Sequence, residues 1–178
     1  IDLRIYSDAS DAGFITFGST DFEGGYVQSR LEPGSYRVCA VPFDTALATG
    51  CFNGAGDPTS AAPVNVADAT DTTGIDIALV AAGSISGTVT DTTGAPLSDI
   101  SVTVYWQVPG PNQWERVRDD TTDVDGRFLV TGLGPGTYRV CYDDPSQTFA
   151  TGCYSSLGLL EAASPVAVAA GVKTANID

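Results

Sequence analysis

The chain has 178 residues, enough for one large domain or two of about 90. Its 43% hydrophobic content can fill a core, and no apolar run approaches the roughly 20 residues of a membrane-spanning helix, so membrane insertion is not expected. A net charge of −14 with eight basic residues repels phosphate backbones, which excludes nucleic acid as a partner, and the absence of His removes the common general base and the common zinc ligand.

In chain order, IDLRIY at 1–6 reads as a strand, followed by the loop SDASDAG at 7–13. LEPGSYRVC at 31–39 then returns as LGPGTYRVC at 133–141, differing only at Glu32/Gly134 and Ser35/Thr137. The same offset lays Asp21 on Asp123, Gly24 on Gly126, ATGC 48–51 on ATGC 150–153, Pro63, Val64 and Val66 on Pro165, Val166 and Val168, and Ile75 on Ile177. Upstream a slightly smaller offset lays IDLRIY on ISVTVY 100–105, so a length difference falls in the loops 7–13 and 108–113, where insertions are tolerated. The chain is therefore two copies of one unit, 1–81 and 82–178, with the boundary near LVAAGSIS 79–86. A link that short predicts a semi-rigid rod. GSISGTVTDTTGAPLSD 83–99 has no counterpart in copy one, and IALVAAG after Asp76 has none in copy two. Copy one is thus expected to lack its first strand and copy two most of its last, as in a window from a longer tandem array.

Within copy two, SISGTVTD alternates small and apolar residues, and Ile100, Val102, Val104 and Trp106 fall on one face at period two. WERVRDD, the tight turn DVDG 123–126, RFLVTGL, TYRVCYDD, FATGCYS, PVAVAA and TANID follow, with a helical turn only over 156–164. Short strands with turn signals at this spacing predict an all-β chain of two tandem Ig-like or prealbumin-like β-sandwiches.

These residues resemble the carboxypeptidase regulatory-like domain. The resemblance rests on Gly87, Val89, Asp91, Gly94, Pro96 and Leu97, on Asp123, Asp125, Gly126 and Phe128, and on Leu133, Pro135, Gly136, Tyr138 and Val140. In copy one it rests on Asp21, Gly24, Tyr26, Leu31, Pro33, Gly34, Tyr36 and Val38. The resemblance implies a transthyretin-like sandwich, similar to B-type repeats of bacterial surface adhesins, in secreted or surface-anchored proteins where such modules act as spacers, stalks or adhesive repeats. The intramolecular Lys–Asn or Lys–Asp cross-link of those adhesin repeats does not carry over: copy one has no Lys, and Lys173 stands near the end of copy two.

Four cysteines allow three pairings. Cys39 with Cys51 and Cys141 with Cys153 is the one that keeps each domain self-contained, free thiols being the alternative; CxxC spacing for a metal is absent. A disulfide over such a loop contributes about 3 kcal/mol in the chain-entropy model and places the chain in an extracellular or otherwise oxidising compartment.

Three groups are candidate sites. Asp119, Asp120, Asp123 and Asp125 offer oxygens of the kind Ca²⁺ takes, although the spacing is not an EF-hand and hairpin chemistry alone accounts for Asp–Gly. No other cofactor is expected. Tyr105, Trp106 and Trp114 flank the VPGPNQ loop; parity turns Trp106 to the core and leaves Tyr105 and Trp114 as candidates for a sugar or protein contact. Arg37 and Arg139 occupy equivalent outward positions suited to a carboxylate partner. The function expected is non-enzymatic: a structural repeat of a secreted or cell-surface protein acting as stalk, spacer or filament unit, with an adhesion or carbohydrate-binding module as the alternative. Its partners would be neighbouring repeats, including a homo-polymer built by strand exchange.

Overall fold

A computed structural model describes all residues except 9–12 and 157. The first half carries β1 (Asp2–Ser7), β2 (Phe14–Ser19), β3 (Gly34–Val41), β4 (Gly50–Cys51) and β5 (Val64–Val66). They form one sheet in the order β2-β1-β3-β4, with β5 against β3. The second half carries β6 (Gly83–Thr88), β7 (Ser101–Gln107), β8 (Trp114–Thr121), β9 (Arg127–Leu133), β10 (Gly136–Asp143), β11 (Gly152–Cys153), β12 (Val166–Val168) and β13 (Lys173–Thr174). Here β11-β10-β7-β8, with β12 on β10, repeat the first sheet, and β13-β6-β9 make a second one.

The registers make the repeat explicit. Ile5 lies opposite Val38 as Val104 lies opposite Val140, and Tyr36 opposite Val64 as Tyr138 opposite Val166. The hairpins β1–β2 and β7–β8 slip register at Ile5/Tyr6 and at Val104/Tyr105, equivalent positions. Each Pro–Gly corner is closed by the tyrosine two residues on: the Tyr36 hydroxyl donates to the Glu32 carbonyl (2.7 Å) and that of Tyr138 to the Gly134 carbonyl (3.0 Å). Both disulfides form within their own half, Cys39–Cys51 and Cys141–Cys153, each joining directly opposed residues of neighbouring strands. The chain is all-β as expected, and 3₁₀ turns occur at Phe52–Gly54 and Leu160–Ala162.

Period-two alternation places Val102, Val104 and Trp106 inside, together with Phe128, Val130, Leu133 and Ile85 from the facing sheet. The first half differs. Residues 25–31, equivalent to β9, and 71–76, which include the counterpart of β13, form no strand. The strand that would pair with them has no counterpart in the sequence, and a lone strand without a ladder partner leaves its backbone groups unpaired. Of the expected strand TANID only Thr174 falls in a strand, β13 (Lys173–Thr174). In the SDASDAG loop, residues 9–12 lie outside the described residues.

Candidate functional site

The most elaborate site is the junction between the halves. On β1, Leu3 and Ile5 face one side of the sheet, while Arg4 and Tyr6 face the other, where their ladder partners are Cys39 and Arg37. That second face is covered by the second half. Tyr6 is fully buried and meets Trp106 edge-to-face, ring centroids 6.3 Å apart. Tyr6, Cys39, Val41, Cys51 and Ala61 join Trp106, Val108 and Val117 in one continuous apolar cluster.

Polar contacts frame the cluster. Arg4 donates to Glu115 Oε1 at 2.7 Å and to the Arg116 carbonyl at 3.3 Å. Arg118 donates to the Pro42 carbonyl at 2.6 Å. The buried Thr49 receives the Gly134 N–H on its hydroxyl (3.1 Å), and its own N–H donates to the Gly132 carbonyl (3.3 Å). Gly56 packs so tightly on Pro135 that a Cβ there would overlap its carbonyl. The link itself is tied down: Ala48 N–H donates to the Val80 carbonyl and Ala82 N–H to the Ala46 carbonyl. Burial, and then the charge of Glu115, push the Tyr6 phenol far above its ordinary range, while burial lowers the Arg118 guanidinium.

Sequence reasoning did not find this junction. A signal was present: Val38-Cys39-Ala40-Val41 is apolar at four successive positions, whereas the second repeat reads Val140-Cys141-Tyr142-Asp143. An unbroken apolar run marks a strand buried on both faces.

The acidic turn is divided among separate partners. Asp119 pairs with Arg116 and Asp125 with Arg127. Asp120 accepts the Leu129 N–H (2.7 Å), and Asp123 accepts those of Asp125 and Arg127 (2.9 Å each). Among the described residues no three His, Cys, Asp or Glu side chains gather as a metal site. Comparable turns hold Asp91 and Asp144 below the usual carboxylate range, through the Thr93 and Ser146 hydroxyls first and backbone N–H groups next.

Of the aromatic candidates, Trp106 is buried as parity demanded, and Tyr105 and Trp114 are half-buried. The Trp114 ring is capped by the Arg139 guanidinium, 5.4 Å from its centroid, and its indole N–H points inward. Arg37 finds its carboxylate in Asp8, with Nε at 2.8 Å and Nη2 at 2.6 Å. The equivalent Arg139 takes an aromatic face instead.

No curated protein matches the chain. Two solved structures are similar to it: a Streptococcal ancillary pilin (18% identity, TM-score 0.36, 96% of this chain and 57% of that one) and the Bacillus anthracis TIE protein (14% identity, TM-score 0.35, 98% and 29%). The chain thus spans 57% and 29% of their lengths. Residues 84–177, more than half of the chain, match the carboxypeptidase regulatory-like domain, with the Pro–Gly corner, the buried Tyr138 and the DVDG turn in the places described, and the chain belongs to that family.

Proposed function

We propose that the chain is a non-enzymatic structural module of a secreted or cell-surface protein, two docked β repeats that space and stiffen the segments they join. The supporting observation is the junction: a single apolar cluster, centred on Tyr6 and Trp106, runs from one repeat into the other. Two packed repeats sharing a core resist bending, whereas a loose linker does not. The disulfide in each half supports an oxidising, extracellular setting and limits local unfolding and proteolysis. Neighbouring repeats of the same kind are the partners this reading calls for.

Small-angle scattering on the chain and on Trp106→Ala tests it. The parent chain should give one rigid envelope at every salt concentration. The variant should broaden the distance distribution as the repeats separate. A parent chain that already behaves as two freely hinged bodies overturns the reading.

A further inference from the structure

β2 ends its sheet. Among the described residues it pairs β1 alone, which leaves its outer row of backbone groups without a ladder partner. The strand reads FITFGS, and residues 12–20 carry no charge in a chain of net charge −14. Its apolar side chains are open to water: Phe14 is 46% exposed, Ile15 45% and Phe17 73%. The rings of Phe14 and Phe17 lie nearly parallel, centroids 6.3 Å apart, and Phe14 meets Tyr6 edge-on at 5.9 Å. Tyr6 in turn meets Trp106, so the exposed pair is the rim of the core that joins the repeats.

The second repeat shows how the same edge is protected. Phe14 is the ladder partner of Tyr6 as Arg116 is of Tyr105, and Phe17 that of Arg4 as Asp119 is of Thr103. Where the first repeat has two phenylalanines, the second therefore has the ion pair of Arg116 and Asp119. β8 carries five charged residues, Glu115, Arg116, Arg118, Asp119 and Asp120, and Asp120 accepts the Leu129 N–H across the edge. Gly18 stands in the place of Asp120. β2 lacks all of these charges, which are what keeps a sheet edge from pairing.

The open edge belongs to the repeat itself rather than to its place in the chain. β8 also ends its sheet although β6 is present, because β6 pairs β9 and β13. With the second repeat docked behind it, the first keeps Phe14 and Phe17 exposed. With the first repeat docked ahead of it, the second keeps the side chains of Arg116 and Asp119 61% and 49% exposed. Neither neighbour in a tandem array covers these positions.

We propose that two copies of this chain associate through β2, edge to edge and antiparallel, without exchanging strands. The register that sets Phe14 of each copy opposite Phe17 of the other gathers four rings on one face, continuous with the Tyr6–Trp106 contact of each copy. Antiparallel pairing of a strand with itself is two-fold symmetric, so one surface serves both sides. A cationic partner, which the net charge would otherwise attract, meets no carboxylate on residues 12–20. A strand of six residues buries less than a standard interface of roughly 1,600 Å², so the association is weak, with a Kd on the order of 100 μM. This adds a lateral contact to the spacer reading, which contains only contacts along the chain.

Sedimentation equilibrium of the full chain between about 10 μM and about 1 mM tests the proposal. A reversible monomer–dimer equilibrium is expected, with concentration-dependent amide shifts centred on β2. Phe17→Asp gives β2 the residue that β8 has at this position. It should weaken dimerisation by roughly tenfold or more while leaving Tm unchanged, because the side chain is mostly exposed. Val124→Asp adds the same charge at an exposed residue of the turn beyond β8 and should leave the dimer intact. A chain still monomeric at about 1 mM, or a dimer that Phe17→Asp leaves unchanged, would overturn the proposal. So would a dimer that Val124→Asp abolishes equally, or one that forms only after unfolding and refolding, which marks exchanged strands. None of these outcomes alters the scattering test of rigidity, which concerns the monomer.

Discussion

Tyr6 meets Trp106 edge-on, although Tyr6 belongs to the outward face of its own sheet and Trp106 to the inward face of its own. The contact turns two repeats into one packing unit. Trp106→Ala is expected to lower the unfolding free energy by about 3–5 kcal/mol, as truncation of a fully buried aromatic does. Urea unfolding followed separately by tryptophan fluorescence and far-UV circular dichroism should give coincident curves for the parent chain. Curves that already separate in the parent would show the repeats to be energetically independent.

The ion pair beside this contact should matter less. Arg4 and Glu115 are 20% and 26% exposed, so water screens much of their attraction. A double-mutant cycle of Arg4→Ala and Glu115→Ala should give a coupling of roughly 1 kcal/mol, shrinking in molar salt. A salt-independent coupling several times larger would mean the pair acts as a desolvated one.

Each disulfide closes a sequence separation of 12. Replacing Cys39 and Cys51 together by Ser, or Cys141 and Cys153 together, should each cost about 3 kcal/mol in guanidinium unfolding. Because Cys39 and Cys51 also lie in the shared cluster, the first pair should loosen the junction as well. Equal amide exchange at Thr49 in both variants would contradict that asymmetry.

Burial, the largest cause, pushes the Tyr138 phenol from its ordinary 10.0 up to about 12, and the phenols of Tyr6 and Tyr142 rise further. The folded chain therefore holds phenolic protons that the unfolded chain releases. The tyrosines' contribution to stability should be level below pH 10 and fall steadily as pH climbs toward 12 and beyond. Tyrosinate absorbance should rise in step with loss of β-sheet signal. Ionisation of all seven tyrosines near pH 10 in a still-folded chain would refute the assignment.

Arg139 over Trp114 contributes a cation–π contact of about 0.5–1 kcal/mol. Arg139→Gln should lower stability by that amount and shift tryptophan emission to the red as the Trp114 ring meets water. An unchanged spectrum would place the guanidinium elsewhere in solution.

Much of this was legible along the chain. The two PG-x-YRVC segments carry a corner, a core strand and a cysteine in fixed order, so their structures agree to the ladder partner. The unpaired first repeat was legible too, as the lack of a counterpart to GSISGTVTD. The acidic turn was legible as a turn but not in its partners, because which carboxylate meets which arginine depends on the hairpin register. Arg37 and Arg139 illustrate the same limit: one motif position, bound to Asp8 in one repeat and to Trp114 in the other.

Local order decided the strands, the corners and the disulfide pairs, because alternation, proline geometry and short loops act over a few residues. Only the tertiary structure decided that Arg4, Tyr6 and Val41 face a second repeat, because burial of an outward face depends on what the chain brings to it a hundred residues later. Residues 25–31 and 71–76 stand between the two: their places follow from the repeat alignment, while Tyr26 reaching the Ile75 carbonyl beside Ile5, Tyr36, Val38 and Val64 exists only once the sheet has folded.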